Sequence, residues 1–181
     1  MARPARLVAQ SLALAAVAGL LALLIWDVAH SNGGIASEVK SGHIVRAPDF
    51  TLRRLDRPGT LRFSSLRGQA VVVNFWASWC APCKTETPRF ERASRQWRGR
   101  PVVFLGIDAG AEDLPSHARA FLRRYGITYQ NVRDNGSLVR KFGLSGYPET
   151  FFVDRRGRVV EHIGREVSAR ELQGGIRAAL R

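Results

Sequence analysis

Two cysteines three positions apart, Cys80 and Cys83, are the only thiols in a chain of 181 residues. A Cys-x-x-Cys pair can exchange disulfides with another protein or supply half of a zinc site. A structural zinc ion needs about four ligands. No second cysteine pair exists, and His30, His43, His117 and His162 show no ligand spacing. A purely structural disulfide would close a loop of two intervening residues, which restrains an unfolded chain very little. A redox dithiol is the better account. Trp79-Cys80-Ala81-Pro82-Cys83-Lys84 follows an apolar run and opens a helical pattern. Free N–H groups and the positive end of the helix macrodipole favour a thiolate at such a junction. Thiols so placed have pKa values lowered to roughly 3.5–7.5. Cys80 is then the nucleophile, and Cys83, one turn on, resolves the mixed disulfide. No metal is expected, and no cofactor beyond the Cys80–Cys83 disulfide itself.

The elements around the pair follow from patterning. Ala70–Trp76 (AVVVNFW) is apolar and β-rich, the mark of a strand buried on both faces. Ala81–Trp97 reads as a helix stopped by Gly99 and Pro101, and Val102–Asp108 as a second buried strand. Asp113–Tyr125 has helical apolar spacing, Tyr129–Arg133 suits a short strand and Ser137–Phe142 a short helix. Thr150–Val153 and Arg158–Ile163 flank Arg156-Gly157 as a hairpin. Ser168–Leu180 is a final helix with a capping box, Ser168 and Glu171. An earlier hairpin, Asp49–Leu55 with Thr60–Phe63, turns at Pro58-Gly59. This α/β order predicts a thioredoxin fold with an N-terminal β-hairpin extension and a central insertion.

Ahead of it, Leu7–Trp26 is a 20-residue run broken only by Gln10, Ser11 and Gly19. About 20 helical residues cross a bilayer core of roughly 30 Å. Arg3 and Arg6 precede the run and no Lys or Arg follows until Lys40, which places the N-terminus inside and the rest outside. A cleaved signal peptide would have a shorter core and a better cleavage site than Trp26–His30 offers. The expected organisation is a cytoplasmic N-terminus and transmembrane signal anchor over 1–29, a flexible Gly- and Ser-containing linker over 30–47, and a thioredoxin-like domain over 48–181. The catalytic domain would then lie on the periplasmic side of the cytoplasmic membrane.

The net charge is +13, carried by 25 Arg and 3 Lys against 15 acidic residues. The arginines are scattered, with no run of five and no accompanying zinc-finger, RNP or basic-zipper pattern, so no nucleic-acid partner is expected. An apolar fraction of 45% excludes wholesale disorder.

Asn74-Phe75-Trp76-Ala77-Ser78-Trp79-Cys80-Ala81-Pro82-Cys83 resembles the membrane-anchored TlpA/ResA/CcmG (DsbE) group of thioredoxin-like proteins. Ala47-Pro48-Asp49-Phe50, Leu66-Arg67-Gly68 and Gly146-Tyr147-Pro148-Glu149-Thr150 extend the likeness over about Pro48–Leu180. The resemblance implies that Pro148 is cis and lies against the dithiol, where the Tyr147–Pro148 backbone pairs with a client chain. It implies client contact for Trp79, Ala81 and Pro82. It also implies that Glu86, three residues after Cys83, tunes cysteine acidity or proton transfer. Asn74 departs from the thioredoxins, which carry a buried aspartate there, so Glu86 is the acid expected to serve the dithiol.

The function implied is reduction of apocytochrome c cysteines, or of a haem-ligation partner, in cytochrome c maturation, with electrons from a membrane thiol donor. Alternatives are a general extracytoplasmic disulfide reductase, for example in copper-site assembly, and a non-catalytic apoprotein or haem chaperone. A peroxidase is not expected, because the Thr-x-x-Cys of peroxiredoxins is missing.

Overall fold

The structure, a computed structural model, describes residues 3–30 and 34–181, with side chains over 12–26 in the first segment. That segment is a single helix, α1 (Arg3–His30). Its described leucines, among them Leu12, Leu14 and Leu23, are exposed. Among the described residues no helix is long and apolar enough to cross a membrane. The span expected over Leu7–Trp26 begins in residues whose side chains lie outside the described ones.

The second unit, Gly34–Arg181, is built on one eight-stranded sheet. Its strands are β1 (Val45–Arg46), β2 (Thr51–Arg54), β3 (Thr60–Arg62), β4 (Ala70–Trp76), β5 (Val102–Asp108), β6 (Gln130–Arg133), β7 (Glu149–Val153) and β8 (Arg158–Ile163). They lie in the order β1-β8-β7-β4-β5-β6-β2-β3. β4, β5 and β6 are parallel, β7 runs antiparallel to β4, and β8 runs antiparallel to β7. The helices are α2 (Ile35–Lys40), α3 (Ala81–Gln96), α4 (Pro115–Arg124), α5 (Ser137–Phe142) and α6 (Ala169–Leu180). This is the thioredoxin arrangement with the early β2–β3 hairpin added.

Strand alternation splits β4 between two cores. Val71, Val73 and Phe75 join Leu105, Phe142 and Phe151 on one face. Ala70 and Val72 meet Phe90, Leu172 and Ile176 from α3 and α6 on the other. Each of these valine, leucine, isoleucine and phenylalanine side chains contributes roughly 1.5–3 kcal/mol by leaving water. Asn74 shares the second face, so its amide points toward α3 and meets Glu86 there.

One expectation is corrected. Residues 34–47 are folded onto the domain and are no flexible linker. α2 buries Ala36, and Val45–Arg46 pairs with Val159–Arg158 on the edge of β8. Gly34 approaches the Gly143 backbone so closely that a Cβ would sit 2.5 Å from Gly143 N. The glycine serves close packing here, where its composition suggested freedom.

The β5–α4 loop is also locked. Gly110 has φ +47°, and a Cβ there would overlap the backbone carbonyl of Asp134. Gly110→Ala is therefore expected to cost more than about 2 kcal/mol of unfolding free energy, read as a lowered urea midpoint.

Candidate dithiol active site

β4 ends at Trp76, and the chain turns through Ala77–Trp79 into α3. Cys80 is the N-cap residue. Its Sγ accepts the Cys83 N–H at 3.2 Å, and Ala81 and Pro82 form the exposed first turn. Proline fits here because its missing N–H has no helical partner to lose. The two sulfurs form a disulfide with Cα atoms 5.3 Å apart, and both cysteines are buried against Trp76, Ala109, Ala118 and Phe121. Thr87 Oγ1 donates to the Cys83 carbonyl at 2.7 Å, fastening the second turn of α3.

The residues named from the sequence converge in part. Trp79 is 53% exposed, yet it is fixed: its Nε1 donates to the Glu112 carbonyl at 3.0 Å and its ring meets Tyr147 edge-on at 5.8 Å. The Tyr147–Pro148 peptide is cis, and Tyr147 packs against the cluster that holds both cysteines. Glu86 takes a different place. It is buried, and its hydrogen bonds run to Asn74 Nδ2 at 2.8 Å and Val167 N at 2.9 Å. Burial raises its pKa to about 7, against the lowering effect of those two donors, and nearby Glu166 adds to the rise. A carboxyl so tuned can take or release a proton near neutrality.

Several contacts that support the site had no sequence signal. Asp113 accepts from Ser78 N at 2.6 Å and from Ser78 Oγ at 2.7 Å, tying the turn before Cys80 to the β5–α4 loop. Arg133 braces that loop by donating to Asp108 Oδ2 at 2.7 Å and to the carbonyls of Gly110 and Asp113. Asp108 is fully buried, and its Oδ1 meets no donor. Burial first, then the charge of Asp113, lifts its pKa to about 7. Beneath the Pro148 loop, Glu149 Oε1 accepts from Ser145 N, Ser145 Oγ and Gly146 N, and Oε2 pairs with His162 Nε2 at 2.6 Å. Burial opposes charge on Glu149, but the His162 and Ser145 hydrogen bonds outweigh it and hold the carboxylate low. The partners Ser78 and Asp113 lie 35 residues apart, and Glu149 and His162 lie 13 apart. Only the folded sheet brings them together.

A thiolate at Cys80 would sit at the start of α3 with the Cys83 N–H directed at it. Cys83 lies within bonding distance and is positioned to close the disulfide. The arrangement does thiol–disulfide exchange.

Known proteins agree with this chemistry. The family profile described as "AhpC/TSA family" matches residues 45–162. The thiol-disulfide oxidoreductase ResA of Bacillus thuringiensis (strain Al Hakam) is 29% identical over 129 residues, covering 71% of this chain and 73% of that one. The thioredoxin-like protein YneN of Bacillus subtilis (strain 168) is 26% identical over 154 residues, covering 82% and 89%. A solved thiol:disulfide interchange protein of the thioredoxin family from Chlorobium tepidum TLS superposes with a TM-score of 0.69 at 27% identity, covering 76% of this chain and 97% of that one. The chain belongs to the AhpC/TSA family and is a thiol-disulfide oxidoreductase.

Proposed function

We propose that this oxidoreductase is a membrane-tethered reductant working outside the cytoplasm, with apocytochrome c cysteines or a haem-ligation partner as its clients. The observation that carries the exchange step is the Cys80–Cys83 pair at the N-terminus of α3, with Trp79 exposed beside it. Leu7–Trp26, preceded by Arg3 and Arg6, supports the tether and its orientation. Gly146-Tyr147-Pro148-Glu149-Thr150 supports the CcmG-like client class through the resemblance it carries.

In the reduced enzyme the Cys80 thiolate attacks one sulfur of a client disulfide. The client S–S bond breaks, a mixed disulfide forms and one client thiolate leaves. The Cys83 thiolate then attacks Cys80 Sγ, releases the second client thiolate and leaves the Cys80–Cys83 disulfide. Two electrons have passed to the client, whose thiolates take up two protons. Glu86, one helical turn from Cys83 and ionising near neutrality, takes the Cys83 proton in this reading. A membrane thiol donor returns two electrons to the pair.

The test is a Cys83→Ser trap in the full chain, expressed in its own host. Mixed disulfides should accumulate on Cys80, and mass spectrometry should find extracytoplasmic proteins with Cys-x-x-Cys-His among the partners. Capture of no protein, or linkage elsewhere than Cys80, overturns the exchange reading. Capture of cytoplasmic proteins alone overturns the location.

A further inference from the structure

Among the described residues of the folded unit, three large apolar side chains stand exposed: Ile44, Trp79 and Leu114. Two of them belong to one surface. The Trp79 indole donates to the Glu112 carbonyl, and the Ser78 amide and hydroxyl donate to Asp113, so residues 112–114 run beside residues 78–79. Leu114, 59% exposed, follows directly.

Leu114 stands where leucine is poorly suited. It is the N-cap of α4, with extended backbone, and makes no side-chain capping bond. Ser, Thr, Asn and Asp are preferred there because a side-chain oxygen satisfies a free helix N–H, which leucine cannot do. The position thus forgoes a cap and leaves an aliphatic side chain in water. The loop behind it is rigid: Arg133 ties Gly110 and Asp113, and Gly110 packs on the Asp134 backbone. Trp79 is thereby fixed next to Cys80, and Leu114 stands on the braced backbone beside it, so the pair offers an apolar platform that needs little backbone ordering on binding.

We propose that Leu114 and Trp79 together receive a large apolar side chain that lies a few residues from the reactive cysteine of a polypeptide client, with Leu114 determining specificity. This rests on the reading above that clients are protein disulfides. The occupant follows from continuity with the dithiol. A second copy of the chain or a lipid surface seated here would cover Cys80 and block exchange, whereas a client must cover it to react. What the pair offers a client is the face of an indole and an aliphatic side chain, so the platform selects for apolar character.

Two sets of synthetic peptides test this, each peptide with one intramolecular disulfide and the two sets differing only in a leucine or a serine placed two to four residues from the first cysteine. The reduced wild-type chain should reduce the leucine peptides with a kcat/KM roughly ten-fold above that of the serine peptides. Leu114→Ser should bring the ratio to about one, while the melting temperature holds or rises because serine caps α4. Leu114→Asn, a second cap-forming variant, should do the same, and Leu114→Met should keep the wild-type preference. Equal kcat/KM for both sets in the wild type, or an unchanged ratio in Leu114→Ser and Leu114→Asn, overturns the inference. A melting temperature that falls in both cap-forming variants also overturns it, because Leu114 is then a packing residue. If the wild type reduces neither set, the protein-disulfide reading fails first and takes this inference with it.

Discussion

Replacing Cys80 with serine is expected to slow disulfide reduction by on the order of 10⁴-fold or more, with the fold intact. Serine is a good N-cap, and its oxygen can accept the Cys83 N–H that Cys80 Sγ now receives. The disulfide closes over two residues, so its loss barely changes the entropy of the unfolded chain. The deficit is therefore chemical: a serine hydroxyl carries almost no anion at neutral pH and cannot form the mixed disulfide. Cys83→Ser should differ in kind. Cys80 still attacks, so one equivalent of nitrothiobenzoate leaves an aromatic disulfide reagent in a burst, and turnover then stops because no thiolate resolves the adduct. Stopped-flow absorbance separates the two outcomes, and far-UV circular dichroism checks the fold. A burst from Cys80→Ser with none from Cys83→Ser would reverse the roles of the two sulfurs.

The dithiol was legible in the sequence because its signal is local. Cys80, Pro82 and Cys83 sit within one helical turn, directly after a run that could only be a buried strand. The strand itself was equally plain: AVVVNFW falls on Ala70–Trp76, and the capping box at Ser168 and Glu171 marks the start of α6. The supports of the site were not legible. Asp113 reaches Ser78 across 35 positions, and Arg133 reaches Asp108 across 25, through strands whose order in the sheet no local pattern states. Glu149 stood in a motif that drew attention, but its work is to hold Ser145 and Gly146, which depends on His162 arriving from the next strand. The stretch ahead of the domain misled for a further reason. A glycine that grants freedom and one that permits close approach are the same letter, and Gly34 is the second kind. Leu114 looked like one more apolar residue of a helix face, and only its place at the N-cap sets it apart.

Glu86 should make stability fall as pH rises through the neutral range. Its folded pKa of about 7 stands above the ordinary 4.5, with burial the leading cause. Below about pH 4.5 the group is protonated in folded and unfolded chains alike, and its full contribution is present. Between 4.5 and 7 the unfolded chain ionises first, and stability drains away. Above 7 the loss levels off at about 3 kcal/mol, taking 1.36 kcal/mol per pKa unit. Asp108, raised from 3.8 to about 7, acts in the same direction and the same window. Carboxylates held low, such as Glu149 and Asp154, act oppositely but only in more acid solution. The unfolding free energy from urea titrations should therefore decline from pH 5 to pH 8. Glu86→Gln should remove about half of that slope and Asp108→Asn much of the rest. The slope is the quantity to read, because glutamine turns an amide NH₂ toward either the Asn74 or the Val167 donor and lowers stability by a pH-independent amount. A Glu86→Gln profile parallel to the wild type from pH 5 to 8 would mean that Glu86 ionises as an ordinary surface carboxyl. It would then be no store for the Cys83 proton at neutral pH. A flattened profile with a matching shift in the pH dependence of adduct resolution in the enzyme with both cysteines would tie the buried acid to the resolving thiol.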